Sequence, residues 1–231
     1  GKHSLTRKMM NIEIKNISYN QEAFVCTILH EKKHNNIALE KFLPGGPLAI
    51  LPMQKYENSN RSSIIWSDKK INSKSRYNSS IEDVSMIEYE IEKHCKEWLG
   101  KIELHGFRAT FPLKLTVPKS LIGKRFILMG DSAHSIHPIA GQGWNLGIKD
   151  VKNVMSLCES NKFELGDENF CKHYNNLSYK NSFQLFQITD KLNSHFLKSN
   201  FSNRLISNIG FKIIENNISM KDKITKFAMG I

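Results

Sequence analysis

Residues whose types and spacing together could do chemistry lie in one segment, residues 130–147. Its candidates are Asp131, His134, His137, Gly141, Gly143 and Gly147. The carboxylate and the two imidazoles could transfer protons or bind a metal, and the glycines let a ligand approach the backbone closely. The segment follows the apolar run 125–129 and leads into a helix predicted to start near Gly143. A helix N-terminus offers unpaired N–H groups and a positive dipole end, so we predict a site for a flat or anionic ligand.

From the residues alone, several interpretations of this segment stay open. A dinucleotide-binding fingerprint needs Gly-x-Gly-x-x-Gly directly after its strand, whereas Gly141, Gly143 and Gly147 have one residue too many and come late. A metal site built on the aspartate and the two histidines suits zinc or iron, but no fourth ligand is evident, and we predict no metal. A purely structural loop is the third interpretation. No side chain can be named as the catalytic acid or base; the two histidines are candidates because imidazole titrates near neutral pH.

The composition limits the classes of partner. The 33 Lys and Arg residues outnumber the 22 Asp and Glu residues, which gives a formal net charge of +11. Nearly all of the excess is scattered lysine, whereas a nucleic-acid site favours arginine, so no nucleic-acid partner is expected. The cysteines are Cys26, Cys95, Cys158 and Cys171. They form no zinc spacing, which predicts buried, reduced thiols in a cytosolic protein. No apolar stretch approaches ~18 residues, so no transmembrane helix is predicted.

The elements that must position the segment follow from the apolar pattern. Residues 10–68 are strand-like, and a Pro-Gly-Gly-Pro turn divides 42–52 into two short strands. Residues 67–79 are polar and are predicted to form a loop. A capping box at Ser79 then starts a helix that Gly100 ends.

After this helix the chain returns to strand and then becomes helical. Strand patterning covers 102–117, and the run 125–129 is apolar enough for a buried strand. Helices are predicted from about 143, over about 167–195, and along a final stripe of apolar residues at i+4 steps. The stripe consists of Leu197, Phe201, Leu205, Ile209 and Ile213. We expect it to pack on the core, with docking on a membrane or partner as the alternative. This order of elements predicts an α+β or mixed α/β fold.

Residues 130–150 resemble the second flavin-binding motif of class A FAD-dependent aromatic monooxygenases, the para-hydroxybenzoate hydroxylase group. That motif runs Gly-Asp-x-Ala-His, then Pro, then Gly-x-Gly-x-Asn and an Asp on the following helix. The matching positions are Gly130, Asp131, Ala133, His134, Pro138, Gly141, Gly143, Asn145 and Asp150. Residues 38–52, 111–113 and 134–143 are similar to the ubiquinone-biosynthesis hydroxylase branch, as is the ending 228–230. Trp144 departs from the pattern, because leucine or methionine is commoner there.

The resemblance implies an FAD site with defined roles. The Asp131 carboxylate would accept a hydrogen bond from a ribityl hydroxyl, and the N–H groups of Trp144 and Asn145 would meet the N1–C2=O2 edge of the flavin. Pro138 would form the wall beside the ring. The predicted cofactor-binding residues are Asp131, Pro138, Gly141, Gln142, Gly143, Trp144 and Asn145. A substrate pocket lined from the sheet is expected at Phe42, Leu51, Phe111 and Leu113.

Members of the group begin with a strand–Gly-x-Gly-x-x-Gly–helix unit for the ADP half of FAD, and these 231 residues contain none. A middle motif, Asp-Gly-x-x-Ser-x-x-Arg, matches residues 1–7 from its Gly onward. We therefore expect the C-terminal portion of a hydroxylase, with an antiparallel substrate-binding sheet, part of a Rossmann-like FAD-binding domain, and C-terminal helices. The expected parts are 1–10 and 118–160 in the FAD-binding domain, 11–117 in the sheet domain, and 161–231 as a helical region.

The activity implied is hydroxylation of an aromatic ring with FAD, NAD(P)H as the reductant and molecular oxygen, the cofactor supplying the hard chemistry. The branch points to a hydrophobic polyprenylated phenol as the substrate. It leaves open a peripheral association with the inner membrane or with a biosynthetic complex. The fragment alone is expected to be inactive. The rival interpretations are a class A hydroxylase of a soluble phenol and a non-catalytic binding module without its nucleotide unit.

Overall fold

The computed structural model describes residues 3–78, 83–197 and 201–229. The chain divides into two compact units. Residues 20–113 form one, called here the sheet unit, and residues 1–19 with 114–231 form the other, called the loop–helix unit. In the described ranges no helix has both the length and the apolar character needed to cross a membrane.

A five-stranded sheet confirms the predicted α+β architecture. Its strands are β1 (Ile14–His30), β2 (Leu39–Leu43), β3 (Gly46–Tyr56), β4 (Ser59–Lys69) and β5 (Ile102–Pro118). They lie in the order β2-β3-β4-β1-β5, and the β1–β4, β2–β3 and β3–β4 pairs run antiparallel. β-branched and aromatic residues such as Ile64, Ile65 and Trp66 favour this extended pairing. The division between the units falls inside β1 and β5.

A glycine turn connects β2 to β3, as the Pro-Gly-Gly-Pro sequence predicts. Gly45 and Gly46 have φ values of 105° and 148°, which side chains with a Cβ rarely adopt. A Cβ on Gly46 would also collide with the backbone carbonyl of Ser67 on β4. Both the backbone conformation and the close approach therefore require glycine here.

The sheet has two different faces. Alternate side chains of β1, β3 and β4 are buried against helix α3 (Val84–Leu99) and form the core of the sheet unit. They are Phe24, Cys26, Ile28, Leu48, Ile50, Ile64 and Trp66. The other face, called here the open face, carries half-buried or exposed side chains. They are Val25, Thr27, Ala49, Leu51, Ser63 and Ile65. The period of two along each strand produces this separation.

Helix α3 follows the predicted apolar periodicity. Its buried residues are Ile87, Ile91, Cys95 and Leu99. The helix ends at Gly100, as expected, with φ at 74° and the Gly100 N–H donating to the Lys96 carbonyl oxygen at 2.9 Å. The predicted capping box at Ser79 lies outside the described residues.

The chain after β4 forms a helix, α2 (Lys70–Asn78), so the prediction of a loop over 67–79 is wrong. Polar anchors hold this helix in place of an apolar face. Ser73 Oγ donates to a carbonyl oxygen of β1 at 2.8 Å, and Arg76 Nη1 donates to the Asp68 carboxylate at 2.9 Å. A helix held by buried hydrogen bonds produces no apolar periodicity, which explains the error.

The loop–helix unit is mainly helical. Its elements are α1 (Leu5–Met9), β6 (Ile122–Gly123), β7 (Phe126–Ile127), α4 (Gly143–Glu159), α5 (Glu168–Leu197), α6 (Phe201–Asn216) and α7 (Ile218–Met229), with 3-10 turns at Gly130–Ser132 and Ile139–Gly141. One buried cluster joins the residues on both sides of the first turn to α4 and α5. It contains Leu121, Leu128, Ala133, Leu157, Phe170, Cys171 and Tyr174.

The predicted buried strand over 125–129 is shorter and less buried than expected. Only Phe126 and Ile127 are paired, antiparallel to β6, and both are half-buried. A strand extends only as far as its partner, and within the described residues the partner is two residues long. Leu128, at 1% exposure, is the fully buried member of the run.

Helix α4 confirms the predicted helix, but apolar residues that recur along it at three- and four-residue steps form a stripe that faces outward. The exposed members are Ile148, Val151, Met155 and Cys158. Leu146 and Leu157, at 6% and 7% exposure, face the interior. The periodicity therefore located the helix without identifying its buried side, and the expected burial of Cys158 is wrong. The other three cysteines are buried, as expected.

The predicted last helix is divided at Asn217, whose Oδ1 accepts a hydrogen bond from the Met220 N–H at 3.0 Å and caps α7. Of the i+4 stripe, Ile209 and Ile213 are 51% and 53% exposed, so the expected core packing does not cover these two. The other stripe side chains lie outside the described residues. They are Leu197, Phe201 and Leu205.

Candidate functional site

Two tight turns and a helix build the segment singled out in the sequence. Gly130 has a φ of 56°, and its carbonyl oxygen accepts hydrogen bonds from the N–H groups of Ala133 and His134, both at 2.9 Å. Asp131 lies on this turn with its side chain exposed. The second turn, Ile139–Gly141, leads into α4. One short loop therefore presents a carboxylate and ends at a helix N-terminus.

Helix α4 is not capped by its own N-cap side chain. Its N-cap residue, Gln142, makes no side-chain capping hydrogen bond, and the first turn contains no acidic residue. In α1, by contrast, Ser4 Oγ accepts a hydrogen bond from the Arg7 N–H at 3.2 Å. A Cβ on Gly141 or Gly143 would meet no atom within 4 Å, so space lies beside the start of the helix. The arrangement suits a ligand that accepts hydrogen bonds from backbone amides.

The predicted cofactor residues lie together in this loop. Trp144 is 78% exposed, Pro138 and Asn145 are half-buried, and Gln142 is buried. Asn145 Nδ2 donates to Gln142 Oε1 at 3.3 Å, which links their side chains at the first turn of α4. The individual roles of these residues toward a flavin stay predictions.

Both histidines of the segment are buried: His134 is 2% exposed and His137 is 0% exposed. Burial lowers the pKa of His134 and lowers that of His137 to about 4, so both rings are neutral near neutral pH. His137 Nδ1 accepts from the Ile139 N–H at 3.2 Å, which places the proton on Nε2. That Nε2 is buried and has no hydrogen-bond partner in the described part of the chain. Such buried rings give no support to an acid–base role.

No metal site emerges from the same side chains. Among the described residues, no three His, Cys, Asp or Glu side chains are placed to hold a metal ion. His134 Nε2 is instead bonded to the carboxylate of Asp150 at 2.8 Å.

Arg7 supports the loop from a distant part of the chain, a contact that sequence reasoning missed. It is 4% exposed, and its Nη1 donates to the Ser132 carbonyl oxygen at 3.0 Å across 125 residues of sequence. Burial lowers the pKa of Arg7, but a guanidinium stays charged in proteins. Arg7 ends the motif matched by residues 1–7. The motif match was the available signal, but only the fold shows that the two motifs meet.

The expected substrate residues all belong to the sheet unit. The β2–β3 and β3–β4 registers place Phe42 and Leu51 on the open face, with Phe42 half-buried and Leu51 37% exposed. On β5, Phe111 is 55% exposed, whereas Leu113 is buried at 9%. Phe42 and Leu51 thus share one accessible surface.

The donors and acceptors of the loop fit the flavin and ribityl part of FAD. Backbone N–H groups at the start of α4 suit an acceptor edge of a ring. The exposed Asp131 carboxylate accepts hydrogen bonds only, so it suits a hydroxyl group and would repel a phosphate. The open space beside Gly141 and Gly143 lets a ligand approach the backbone there.

Known proteins are similar to this sequence along its whole length. The family model described as "FAD binding domain" matches residues 1–174. The chain is 31% identical over 233 residues to the ubiquinone hydroxylase UbiL of Rhodospirillum rubrum, covering 100% of this chain and 53% of that protein. It is 25% identical over 271 residues to the mitochondrial ubiquinone biosynthesis monooxygenase COQ6 of Drosophila melanogaster, covering 100% of this chain and 54% of that protein.

A solved structure shares the fold. The p-nitrophenol 4-monooxygenase PnpA from Pseudomonas putida DLL-E4 superposes with a TM-score of 0.71 at 12% identity, covering 99% of this chain and 57% of that chain. The chain spans about half the length of the curated relatives it matches. These matches confirm the resemblance to FAD-dependent aromatic monooxygenases drawn from residues 130–150. The chain therefore belongs to the FAD binding domain family.

Proposed function

We propose that this chain forms the flavin-ring and ribityl part of the FAD site in an aromatic-ring hydroxylase of ubiquinone biosynthesis. The observation that carries the proposal is the exposed Asp131 on a tight turn, followed by the N-terminus of α4, whose N-cap side chain makes no capping hydrogen bond. The names of UbiL and COQ6 support a polyprenylated phenol as the substrate. FAD, when bound, supplies the oxygen-transfer chemistry, with NAD(P)H as the reductant and molecular oxygen as the co-substrate.

In this proposal the residues of the chain bind and polarise the cofactor. Asp131 accepts a hydrogen bond from a ribityl hydroxyl. The N–H groups of Trp144 and Asn145 donate to the acceptor edge of the ring, and the positive end of α4 stabilises negative charge that develops there. Pro138 forms a wall beside the ring.

A flavin titration tests the cofactor part. A fixed low concentration of FMN or FAD is titrated with the 231-residue chain, and flavin fluorescence polarisation reports binding. We expect saturable binding that is weaker than micromolar, because these residues contain no Gly-x-Gly-x-x-Gly unit for the pyrophosphate. Sub-micromolar binding of FAD would contradict the expected weakness, and no saturable binding of either flavin would contradict the site.

The substrate part of the proposal places the aromatic ring and its isoprenoid chain on the open face of the sheet. Val25, Ala49, Leu51 and Ile65 offer half-buried or exposed apolar side chains there. Apolar area removed from water gains about 25 cal/mol per Å², so a long isoprenoid chain should bind such a face better than a soluble phenol does.

Methyl NMR of the chain tests this placement. A prenylated phenol should shift the methyl signals of Val25, Leu51 and Ile65, and leave those of Ile50 and Ile64 on the opposite, buried face unchanged. Equal shifts with a non-prenylated phenol would favour the rival hydroxylase of a soluble phenol. No shift with any phenol would favour a non-catalytic module.

A peripheral association with a membrane is the last part of the proposal. The exposed apolar side chains of α6 and α7 support it. They include Ile209, Phe211, Ile213, Ile218 and Ile224. Lysines such as Lys212 and Lys221 lie on the same helices and would attract anionic lipid. Co-sedimentation should increase with the anionic fraction of liposomes, and binding that ignores that fraction would contradict the electrostatic contribution.

A further inference from the structure

A buried carboxylate ties the first turn of the loop to α4. Asp150, on α4, is 2% exposed. Its Oδ2 accepts one hydrogen bond from the Gly130 N–H and one from His134 Nε2, each at 2.8 Å. The two donors stand before and after Asp131 in the chain, so the short segment that carries Asp131 is attached to the helix on both sides.

His134 is a donor in this arrangement. A carboxylate only accepts hydrogen bonds, so His134 Nε2 carries the proton. Burial lowers the pKa of His134 and outweighs the opposite effects of Asp150 and Asp131, so the ring is neutral. Gly130 and His134 therefore supply the donors that a buried negative charge requires. Removing the carboxylate would leave two buried donors without their acceptor, which is costly.

The same turn is held from its other side. Arg7 Nη1 donates to the Ser132 carbonyl oxygen at 3.0 Å. Helix α4 also approaches closely, since a Cβ on Gly147 would lie 3.7 Å from the Gly130 Cα. Gly130, Ser132 and His134 are thus all fixed, while the Asp131 side chain stays exposed.

We propose that Asp150 is a positioning residue for the flavin: it holds the Gly130–Ser132 turn against α4, so that Asp131 and the first amides of α4 keep a fixed relative geometry. The inference rests on the proposed function, because the ligand served is the flavin. Asp150 is buried and acts through the turn. A misplacement of about 1 Å in a contacting group can lower a reaction rate by as much as about 100-fold. Loss of this attachment should therefore have a measurable consequence.

Three variants separate positioning from stability. Asp150→Ala removes the acceptor. Asp150→Asn keeps a carbonyl oxygen that can accept both hydrogen bonds but removes the charge. Leu157→Ala is the matched control, because Leu157 is buried at 7% on the same helix and belongs to the core cluster. Each protein is compared by Tm, by amide hydrogen exchange without flavin, and by the Kd for FMN.

Amide exchange tests the attachment without any ligand. In Asp150→Ala we expect the Gly130 N–H to exchange at least about tenfold faster than in Leu157→Ala, since its acceptor is gone. In Asp150→Asn its protection should be largely retained. Unchanged Gly130 exchange in Asp150→Ala would overturn the attachment.

FMN affinity tests the consequence. We expect the Kd to rise at least about tenfold in Asp150→Ala and to stay within about threefold of wild type in Asp150→Asn and Leu157→Ala. An equal loss of affinity in Asp150→Ala and Leu157→Ala at similar Tm would overturn the positioning role. If the wild-type chain binds no FMN, the proposed function fails together with the role toward flavin, whereas the exchange result still decides the attachment.

Discussion

Asp131 and Asp150 are two carboxylates of one loop and helix, and they have opposite surroundings. Asp150 is buried and accepts two short hydrogen bonds from its own chain. Asp131 is exposed, so its lone pairs are open to solvent or to a ligand. The burial of Asp150 among donors favours a structural role for it, and the exposure of Asp131 is consistent with its proposed role as a ligand-binding residue.

Replacing Asp131 with Ala should weaken flavin binding without weakening the fold. The side chain is exposed, so its loss should change the free energy of unfolding by less than about 0.5 kcal/mol. Loss of a hydrogen bond to a charged group should raise the Kd for FMN by about 10-fold or more. Glu159→Ala, an exposed acidic position at the other end of α4, is the control. Equal Kd values in polarisation titrations of Asp131→Ala and Glu159→Ala would contradict the role of Asp131.

His137 should make folding stability depend on pH. Its pKa in the folded chain is about 4, below the ordinary value of 6.5, so the unfolded chain takes up the proton first as the pH falls. The contribution of the neutral ring to the free energy of unfolding is therefore complete above about pH 6.5. It is lost as the pH falls towards 4 and declines no further below that. Between about pH 7 and 5 the loss is about 2 kcal/mol.

Urea unfolding of wild type and His137→Asn checks this prediction. Asparagine does not titrate, so the difference in unfolding free energy between the two proteins should shrink by about 2 kcal/mol from pH 7 to pH 5. The comparison cancels the other histidines with lowered pKa values, His30, His94 and His134, which both proteins contain. A difference that is constant with pH would show that the folded chain protonates His137 normally.

Residue type and spacing were enough to single out the segment that we propose binds flavin, but not to tell which of its residues face a ligand and which hold the fold. The motif predicts Asp131 and the start of α4, since both follow from local sequence. Burial depends on the whole fold, so the sequence could not separate exposed Asp131 from buried Asp150. The contact of Arg7 with Ser132 joins positions 125 residues apart, and the motif that ends at Arg7 does not show that the two positions meet.

At the scale of elements, apolar periodicity located α3, α4 and α5, but it failed where polar contacts form the structure. Helix α2 is an example: Arg76 Nη1 and Nε contact Asp68 and Glu90, both at 2.9 Å, and its guanidinium lies 3.7 Å from the centre of the Trp66 ring. The sequence shows Arg76, Asp68 and Glu90 only as polar positions. Periodicity also gives no direction, which is why it could not show that the stripe on α4 faces outward.

Replacing Arg76 with Ala should therefore destabilise the sheet unit strongly. Asp68, at 4% exposure, would lose its cationic partner, and breaking a buried pair costs about 3–5 kcal/mol. Lys96→Ala is the control, because Lys96 pairs with Glu92 at 2.8 Å on the surface of α3 and such a pair contributes less than about 1 kcal/mol. Urea unfolding measures both. Similar small losses of unfolding free energy in both variants would mean that hydrogen bonds from Asn72 and the Lys69 N–H are enough to stabilise the buried Asp68 carboxylate.

At the scale of the whole molecule, the match with UbiL covers 100% of this chain but only 53% of that protein. The family match covers residues 1–174, and the loop proposed to bind the flavin lies inside it. Cofactor contacts in the chain are therefore predicted on one side of the FAD molecule, the ring and ribityl side. The restriction of these contacts to the ring and ribityl side can be predicted from the sequence. Motifs are local, so their presence or absence in the 231 residues is read directly.

FAD and FMN should consequently bind the 231-residue chain with similar affinity. Both carry the ring and the ribityl chain, which the loop at residues 130–145 would contact, and they differ in the adenylate, for which these residues contain no Gly-x-Gly-x-x-Gly loop. We expect Kd values within about threefold of each other, a difference of less than about 0.7 kcal/mol, and both should weaken in parallel in Asp131→Ala. Riboflavin, which has no phosphate, tests whether the lysine-rich surface attracts the phosphate of FMN. The Kd for riboflavin should match those for FMN and FAD. A much weaker affinity for riboflavin than for FMN at low salt would reveal a phosphate contact. Binding of FAD more than about tenfold tighter than FMN would show that the chain supplies its own adenylate contacts, and the one-sided site would be wrong.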